Sequence, residues 1–434
     1  MKKNDTIYAL STALGKSALA VIRISGPDAL KKTKKISTNM PEAPRIATLN
    51  KIKNTNKEII DETLTTLFKG PNSYTGEDLV EISAHGGNAI IKKISEILNN
   101  EGARPALPGE FTRRAFENNK LDLTRVEAIA DLVNAETEMQ RKQAISNLSG
   151  FFFKKNRKIF SDLKKSMANI EAVIDFSDED LPNLLIKQTK EQIKNIITRI
   201  EELIINSSSG ISIKDGFLVS VVGGPNTGKS SFVNYLSDKD VAIVTNIPGT
   251  TRDTIETFLD IGGYPVKLVD TAGIRKSNDV VEKIGIEKAI EISKESDVNI
   301  IFIDKKKDIK KFINKDIDNV CVVSKQDLTL KNFEDDGFFN ISSLTGFGIN
   351  KILIKIQKAI ENKAPKEKSF ISRERHIICL TKTIFHLKKS QKPKNIDLFA
   401  EDLRLATKEM SKLYGGIDIE EILDIVFSDF CIGK

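Results

Sequence analysis

Nine residues, Gly223 to Ser231 (GGPNTGKSS), constrain the fold of this chain more than any other stretch. They contain Gly-x-x-x-x-Gly-Lys-Ser between Gly223 and Ser230, preceded by the apolar run Phe217–Val222 and followed by a helical pattern from Lys229. Strand, glycine-rich turn and helix in that order predict a phosphate-binding loop. Phosphate oxygens need many donors at short range, and backbone N–H groups supply them only where no Cβ intrudes. Gly223, Gly224 and Gly228 keep that backbone bare. The helix behind the turn adds the positive end of its dipole. Asn226, Thr227, Gly228, Lys229, Ser230 and Ser231 thus become candidate nucleotide contacts. Lys229 is placed for the outer phosphates and the Ser230 hydroxyl for Mg²⁺.

Later stretches narrow the nucleotide to GTP. Asp270-Thr271-Ala272-Gly273 follows the apolar run Val266–Val269. Asp270 is suited to hold the metal through water, and the Gly273 N–H to sense a γ-phosphate. Gly249–Asp253 (GTTRD) supplies threonines that complete the metal shell only while that phosphate is present, which makes the segment a switch. After Val320–Val323 comes Ser324-Lys325-Gln326-Asp327, where Asp327 can accept from guanine N1–H and the exocyclic amine. Ser324 stands where such loops begin with Asn. Its shorter reach predicts weaker guanine affinity with Asp327 still setting specificity. Ser342 and Ser343 end the next strand, where backbone groups reach the base. Ile274 follows the DTAG stretch and cannot orient a water as Gln does in Ras-type enzymes. Two local devices remain: the Asn226 amide as ligand of a monovalent cation, and Glu282, which on its own reads more readily as a solvated helix residue than as a water-orienting group.

A chain of 434 residues has room for about three domains. Its 67 basic and 60 acidic residues leave +7, which permits a nucleic-acid partner without demanding one. Cys321, Cys379 and Cys431 are far apart, so neither a disulfide framework nor a zinc site is expected, and a reducing cytoplasm is the default. No apolar run is long enough to span a membrane, and the first residues lack a secretion signal.

Residues 1–118 read as an α+β unit, with strands at Ala18–Ile24 and Leu79–Ile82 and a helix at Ala89–Leu98. Lys31–Lys57 reads as a Lys-rich surface loop, with an RNA contact as the second reading. Arg23 lies mid-strand and must face solvent or a ligand. His85 beside Gly86-Gly87 reads as a hydrogen-bonded turn residue. Residues 119–214 carry long amphipathic helices, broken at Ser177–Pro182 and ending in the linker Asn206–Gly210. Residues 215–364 alternate strands and helices, which predicts a doubly wound sheet. Residues 365–434 return to helices, with Asp418 and Glu421 as a capping pair. The fold class is therefore multidomain, α/β plus α, with a Ras-like P-loop GTPase unit inserted into one helical bundle.

NDTIYALST near the start, NSYTGEDLVEISAHGG, ARPALPGEFTRRAF, NKLDLTRVEAIADLV, GPNTGKSS, IPGTTRD, DTAGIR, VEKIGIEKA and the terminal FCIGK together resemble the MnmE (TrmE) family of tRNA-modification GTPases over nearly the whole chain. The resemblance implies that 1–118 binds tetrahydrofolate and dimerises, through a folate site of Arg23, Glu81, Lys120 and Lys434. It implies a homodimer that acts on tRNA with the FAD-dependent partner MnmG (GidA), as a heterotetramer or larger complex. A one-carbon unit from 5-formyl- or methylene-tetrahydrofolate and an amine would build an aminomethyl-type group on wobble uridine C5. GTP hydrolysis would close two facing GTPase domains around K⁺, held by Asn226, Thr245, Ile247 and Thr250. Mg²⁺ would be held by Ser230 and Thr251. Asn246, Pro248 and Gly249 complete the switch contacts. Lys229 and Glu282 would be catalytic, Glu282 orienting the water, and Cys431 would be the suspected reactive thiol. Departures are Gly224 for a basic residue, Ser324 for Asn, Ser83-Ala84-His85 for His-Gly-His, and a short segment between Ile303 and Val320. A GTP-dependent switch for ribosome assembly and a bare regulatory NTPase are the competing classes. The amino-terminal unit and the CIGK end argue against the first, and the second predicts turnover without K⁺ dependence.

Overall fold

The computed structural model describes residues 5–175, 182–205, 207–239, 241–243, 255–270, 291–304, 310, 312–328, 337–364, 371–393 and 395–416, with 423, 426, 427, 430 and 433. The chain forms two compact units, Met1–Ala130 with Ser411–Lys434, and Asp131–Met410.

The first unit is built on a six-stranded sheet in the order β3-β4-β5-β2-β1-β6. Its strands are β1 (Ile7–Leu10), β2 (Ser17–Ser25), β3 (Ala47–Lys53), β4 (Ile59–Phe68), β5 (Leu79–Gly86) and β6 (Arg104–Pro105). All pairings are antiparallel except β1 with β6. Side chains alternate between faces. Val80, Ile82 and Ala84 of β5 join Ile22 and Ile24 of β2 in a core covered by α1 (Ala29–Ile36) and α2 (Asn88–Asn100). The intervening Glu81, Ser83 and His85 are less buried, and Glu81 pairs across the sheet with Arg23. Leu49 and Leu64 sit opposite each other on β3 and β4 and remain 65% and 48% exposed.

The expected loop at Lys31–Lys57 holds most of α1 and all of β3, with residues 37–46 and 54–57 outside both elements. Its lysines mislead because Ala29, Thr33 and Ile36 recur at helical spacing on a buried face, while Ile52 is fully buried between Lys51 and Lys53. The later helices α3 (Glu110–Glu117) and α4 (Leu123–Val133) follow the sheet. Leu423, Val426, Phe427 and Phe430 pack on Leu123, Val126 and Ala130. Gly109 makes this approach possible: its φ is 67°, and a Cβ there would lie 2.8 Å from Phe427. Asp418 and Glu421 lie outside the described residues.

The second unit contains α5 (Glu138–Leu148), α6 (Phe151–Asp175), α7 (Pro182–Ile205) and α8 (Ser208–Asp215) before its sheet. The sheet order is β12-β11-β10-β7-β9-β8. Its strands are β7 (Phe217–Gly223), β8 (Ile255–Ile261), β9 (Tyr264–Asp270), β10 (Val298–Phe302), β11 (Asp318–Val323) and β12 (Phe338–Asn340). All neighbours are parallel except β8 with β9. Helices α9 (Lys229–Ser237) and α10 (Ile349–Lys363) pack on this sheet through Phe232, Val233, Leu236, Ile352 and Ile356. The expected linker at Asn206–Gly210 runs into α8, because Ile213 inserts into the core of the sheet.

Helices on both sides of the nucleotide unit share one bundle. Asp162 of α6 pairs with Arg199 of α7 at 2.8 Å. Glu171 of α6 receives Arg404 of α12 (Ile396–Ser411) at 2.8 Å, and Glu201 of α7 receives Lys388 of α11 (Glu374–Ser390) at 2.7 Å. Pairs this exposed contribute about 1 kcal/mol or less, so they mark the neighbours, and the buried residues Ile159, Leu163, Ile193, Leu380, Leu387 and Leu403 supply the stability.

At the start of α5, the Thr137 hydroxyl and the Gln140 side chain form a reciprocal cap. The Met139 N–H then donates to Gly263 O at 3.0 Å, in the Gly262-Gly263 turn between β8 and β9. Gln140 also donates to Lys214 O of α8 at 2.9 Å.

Candidate functional site

The phosphate loop leaves the sheet at the carboxyl end of β7. Gly223 has φ 148°, and a Cβ there would lie 2.3 Å from Phe302 O on β10. Gly228 has φ 96° and caps α9. Asn226 takes the left-handed conformation as well, with φ 59°, as Asn tolerates better than most residues. The Lys229 ammonium is 5% exposed and donates to Gly223 O at 3.0 Å and Gly224 O at 2.6 Å, which holds it over the loop. Ser230 donates to Asp270 Oδ2 at 2.9 Å. A hydroxyl and a buried carboxylate, brought from β7–α9 and the end of β9, thus form a pair of hard oxygen donors beside a helix N-terminus.

The base loop is fastened to the phosphate loop. The Ser324 hydroxyl donates to Thr227 O, and Lys325 Nζ donates to Asn226 O at 2.7 Å. Gln326 N–H donates to Ile341 O at 3.1 Å. Asp327 Oδ1 accepts from Ser342 Oγ at 2.7 Å. Ser324 therefore orders the turn behind the base, and Ser342 orients the carboxylate. The Ser343 hydroxyl is buried with no hydrogen-bond partner among the described residues. Asn226, Thr227, Gly228, Lys229, Ser230, Asp270, Ser324, Lys325, Asp327, Ser342 and Ser343 thus gather at one end of the sheet. Thr245, Asn246, Ile247, Pro248, Gly249, Thr250, Thr251, Thr271, Ala272, Gly273 and Glu282 lie outside the described residues, as do Cys431 and Lys434.

A second candidate site lies in the first unit. Arg23 Nη2 reaches Glu81 Oε1 at 2.7 Å, and its guanidinium carbon lies 5.5 Å from the Tyr74 ring centre and 5.8 Å from that of Phe111. Its Nη1 donates to Gly433 O at 3.4 Å, and Ser11 Oγ donates to the same oxygen at 3.2 Å. The carboxyl-terminal turn is thereby seated beside Arg23. Glu81 and Lys120 line a cavity of about 350 Å³ with Tyr74, Phe68, Asn72 and Arg45. Three of these residues, Arg45, Phe68 and Tyr74, carry no signal as a cavity in the sequence. Tyr74 belongs to a stretch with a family resemblance, but its ring direction depends on the fold.

The same unit holds an ion network not legible as a unit in the sequence. Arg114 donates to Asp5 Oδ1 at 2.6 Å, Glu77 Oε2 at 3.2 Å and Glu110 Oε1 at 3.1 Å, while Arg104 binds Asp5 and Glu110 at 2.6 Å each. Burial pushes the Glu110 carboxyl up, but the Arg104 hydrogen bond, the Leu107 N–H and both guanidinium charges outweigh it and hold the group below its ordinary value. Asp5 is depressed in the same way, burial being outweighed by Arg104 and Arg114. His85 Nδ1 lies 2.7 Å from Asp61 Oδ1 at the exposed end of β5. Among the described residues no helix is long and apolar enough to cross a membrane.

Comparison with known proteins identifies relatives of both parts of the chain. Residues 6–120 match the family model described as the GTP-binding protein TrmE N-terminus, and residues 123–431 match that of the MnmE helical domain. The protein named tRNA modification GTPase MnmE of Pelagibacter ubique (strain HTCC1062) is 42% identical, covering 99% of this chain and 100% of its own. Those of Ehrlichia ruminantium (strain Gardel) and Rickettsia akari (strain Hartford) are 41% and 40% identical with the same coverage. With a phosphate loop, a guanine-type base loop and a two-part helical bundle in one chain, and relatives matched end to end, the chain belongs to the MnmE family of tRNA-modification GTPases.

Proposed function

We propose that this chain is a potassium-dependent GTPase that modifies the wobble uridine of certain tRNAs together with the flavoprotein MnmG (GidA). The observation that carries the GTPase reading is the meeting of Lys229, Ser230 and Asp270 at one strand end, with the Asp327 loop fastened to the same turn. The phosphates of GTP lie along the N–H groups from Asn226 to Ser231, and Asp327 accepts from the guanine. Ser230 and Thr251 hold Mg²⁺, with Asp270 behind them; the 2.9 Å spacing of the Ser230 and Asp270 oxygens suits a small hard cation. Asn226 contributes to the K⁺ site with Thr245, Ile247 and Thr250. Glu282 orients the attacking water.

The cavity of the first unit suits a reduced folate. Its volume is at the small end of ligand pockets, about 300–1,000 Å³, and it combines aromatic walls with one carboxylate and cations. When bound, 5-formyl- or methylene-tetrahydrofolate supplies the one-carbon unit for uridine C5. Arg23 holds Glu81 in place to accept from ring N–H donors, and Lys120 and Lys434 complete the contacts. Cys431, two residues before the Gly433 carbonyl bound by Arg23, is the proposed thiol. The outward pair Leu49 and Leu64 supports self-association, since exposed apolar cross-strand neighbours are stabilised by cover. Hydrolysis moves the nucleotide unit against the bundle that flanks it, which couples the two chemistries.

GTP turnover in K⁺ against Na⁺ tests the engine: a strong K⁺ preference, lost in Asn226→Ala, is expected, and equal rates in both salts would remove potassium. Calorimetry with 5-formyltetrahydrofolate on the wild type and on Arg23→Ala tests the cavity. Absence of binding to the wild type would favour a switch without one-carbon chemistry. Mass spectrometry of wobble nucleosides in a strain lacking the chain tests the product.

A further inference from the structure

The cavity of the first unit is polar in a directed way. Glu81 lies at one part of the wall, paired with Arg23 on the adjacent strand. Two other cations are held by the loop after β4. Lys120 Nζ donates to Pro71 O at 2.8 Å, and Arg45 Nη2 donates to the neighbouring Asn72 O at 3.0 Å. Both residues line the cavity, and among the described residues neither makes an ion pair.

Arg45 is also placed with care by the backbone. Its φ is 65°, uncommon for a residue with a side chain, and its N–H donates to Leu67 O at 2.7 Å. One guanidinium N–H group is spent on Asn72, which fixes the plane and leaves other N–H donors of the fork for a ligand. A carbonyl neutralises no charge. Two exposed cations held on neighbouring carbonyls therefore favour an anion over a neutral group, and a planar guanidinium favours a carboxylate.

We propose that Arg45, acting with Lys120, grips the glutamate carboxylates of the one-carbon carrier, so that the cavity prefers carriers with polyglutamate tails. The proposal rests on the folate reading of this cavity. Glu81 takes the ring donors at one part of the wall. Arg45 takes the tail where it leaves toward solvent, and each added glutamate brings one more negative charge to the pair of cations.

Calorimetry on the full-length protein at low salt tests this with three probes: 5-formyltetrahydrofolate, its triglutamate, and 6-methyltetrahydropterin, which has no tail. The triglutamate should bind the wild type about fivefold more tightly than the monoglutamate, the scale of one exposed charge pair. That gain should shrink with added salt and vanish in Arg45→Gly, a substitution suited to the positive φ. Arg45→Lys should keep part of it. All three proteins should bind the tetrahydropterin equally, which shows the cavity intact. Equal affinity for monoglutamate and triglutamate in the wild type, or an undiminished gain in Arg45→Gly, overturns the tail grip alone. A wild type that binds none of the probes overturns the folate reading and the tail grip together.

Discussion

The nucleotide site and the cavity proposed for a folate are built by opposite designs. The nucleotide site is local. Six consecutive residues from Asn226 to Ser231 supply its donors, and the strand and helix around them set the geometry. The cavity is assembled from separate pieces: Arg45 before β3, Tyr74 in a loop, Glu81 on β5, held by Arg23 of β2, and Lys120 after α3. A local site depends on backbone conformation, so its weak points are glycines and one lysine. An assembled site depends on the framework that brings its pieces together, so its weak points lie there.

The largest effect should come from that framework. Arg114 is 8% exposed at its side chain and satisfies three carboxylates. Arg114→Ala leaves Glu110 buried without one of its partners and should cost the first unit about 3–5 kcal/mol, read by chemical denaturation. GTP turnover should survive in any folded fraction. Equal loss of turnover in that fraction would erase the contrast between the two sites.

Next in size, Lys229→Ala should lower GTP turnover by about 10²–10³-fold, the scale of removing one charged donor from a developing anion. Binding of 5-formyltetrahydrofolate should be unchanged. A comparable drop in both would show the sites to be less separable than their construction suggests.

Acid should separate them more gently. Glu110 and Asp5 have folded-state values below their ordinary 4.5 and 3.8. Groups depressed by folding add stability above the unfolded value, and that stability is lost as pH falls through the folded one. The first unit should therefore weaken below about pH 4.5, and Arg104→Met, which removes one source of the depression, should flatten that dependence. Thermal melts across pH 3 to 7 would read it. A profile unaltered in the variant would free the network of this role.

How much of this was readable in the sequence follows the same contrast. GGPNTGKSS, DTAG and the Asp327 loop declare their chemistry in a few adjacent letters, because backbone N–H groups and neighbouring side chains carry it. The lysines of 31–57 were misread as a loop because local charge outweighed three buried residues at helical spacing. Ser324 looked like a loss of reach toward the base. The fold gives it another task, the hydrogen bond to Thr227 O, which no spacing reveals. Arg104, Arg114, Asp5 and Glu77 are ordinary surface letters until the sheet closes and burial makes them one network.

The smallest expected effect lies there. Ser324→Ala removes one hydrogen bond between the two loops, worth about 1 kcal/mol, and should weaken GTP affinity about fivefold by titration with a fluorescent analogue, leaving preference for guanine intact. Loss of that preference would mean that Ser324, and not Asp327 alone, reads the base.

The Gly262-Gly263 turn has one more consequence. Strands β8 and β9 run from it for seven residues each, about 23 Å. At their far end lie the start of β8, just past the GTTRD stretch, and Asp270. The near end is tied to α5 by the Met139 N–H on Gly263 O, with Met139 packed against the sheet core. Because β9 is also hydrogen-bonded to β7, the pair is the stiff edge of the six-stranded sheet, with Asp270 at one end and a helix latched at the other. Under the motion proposed for the nucleotide unit, this edge is the backbone that would tie a shift at Asp270 to α5.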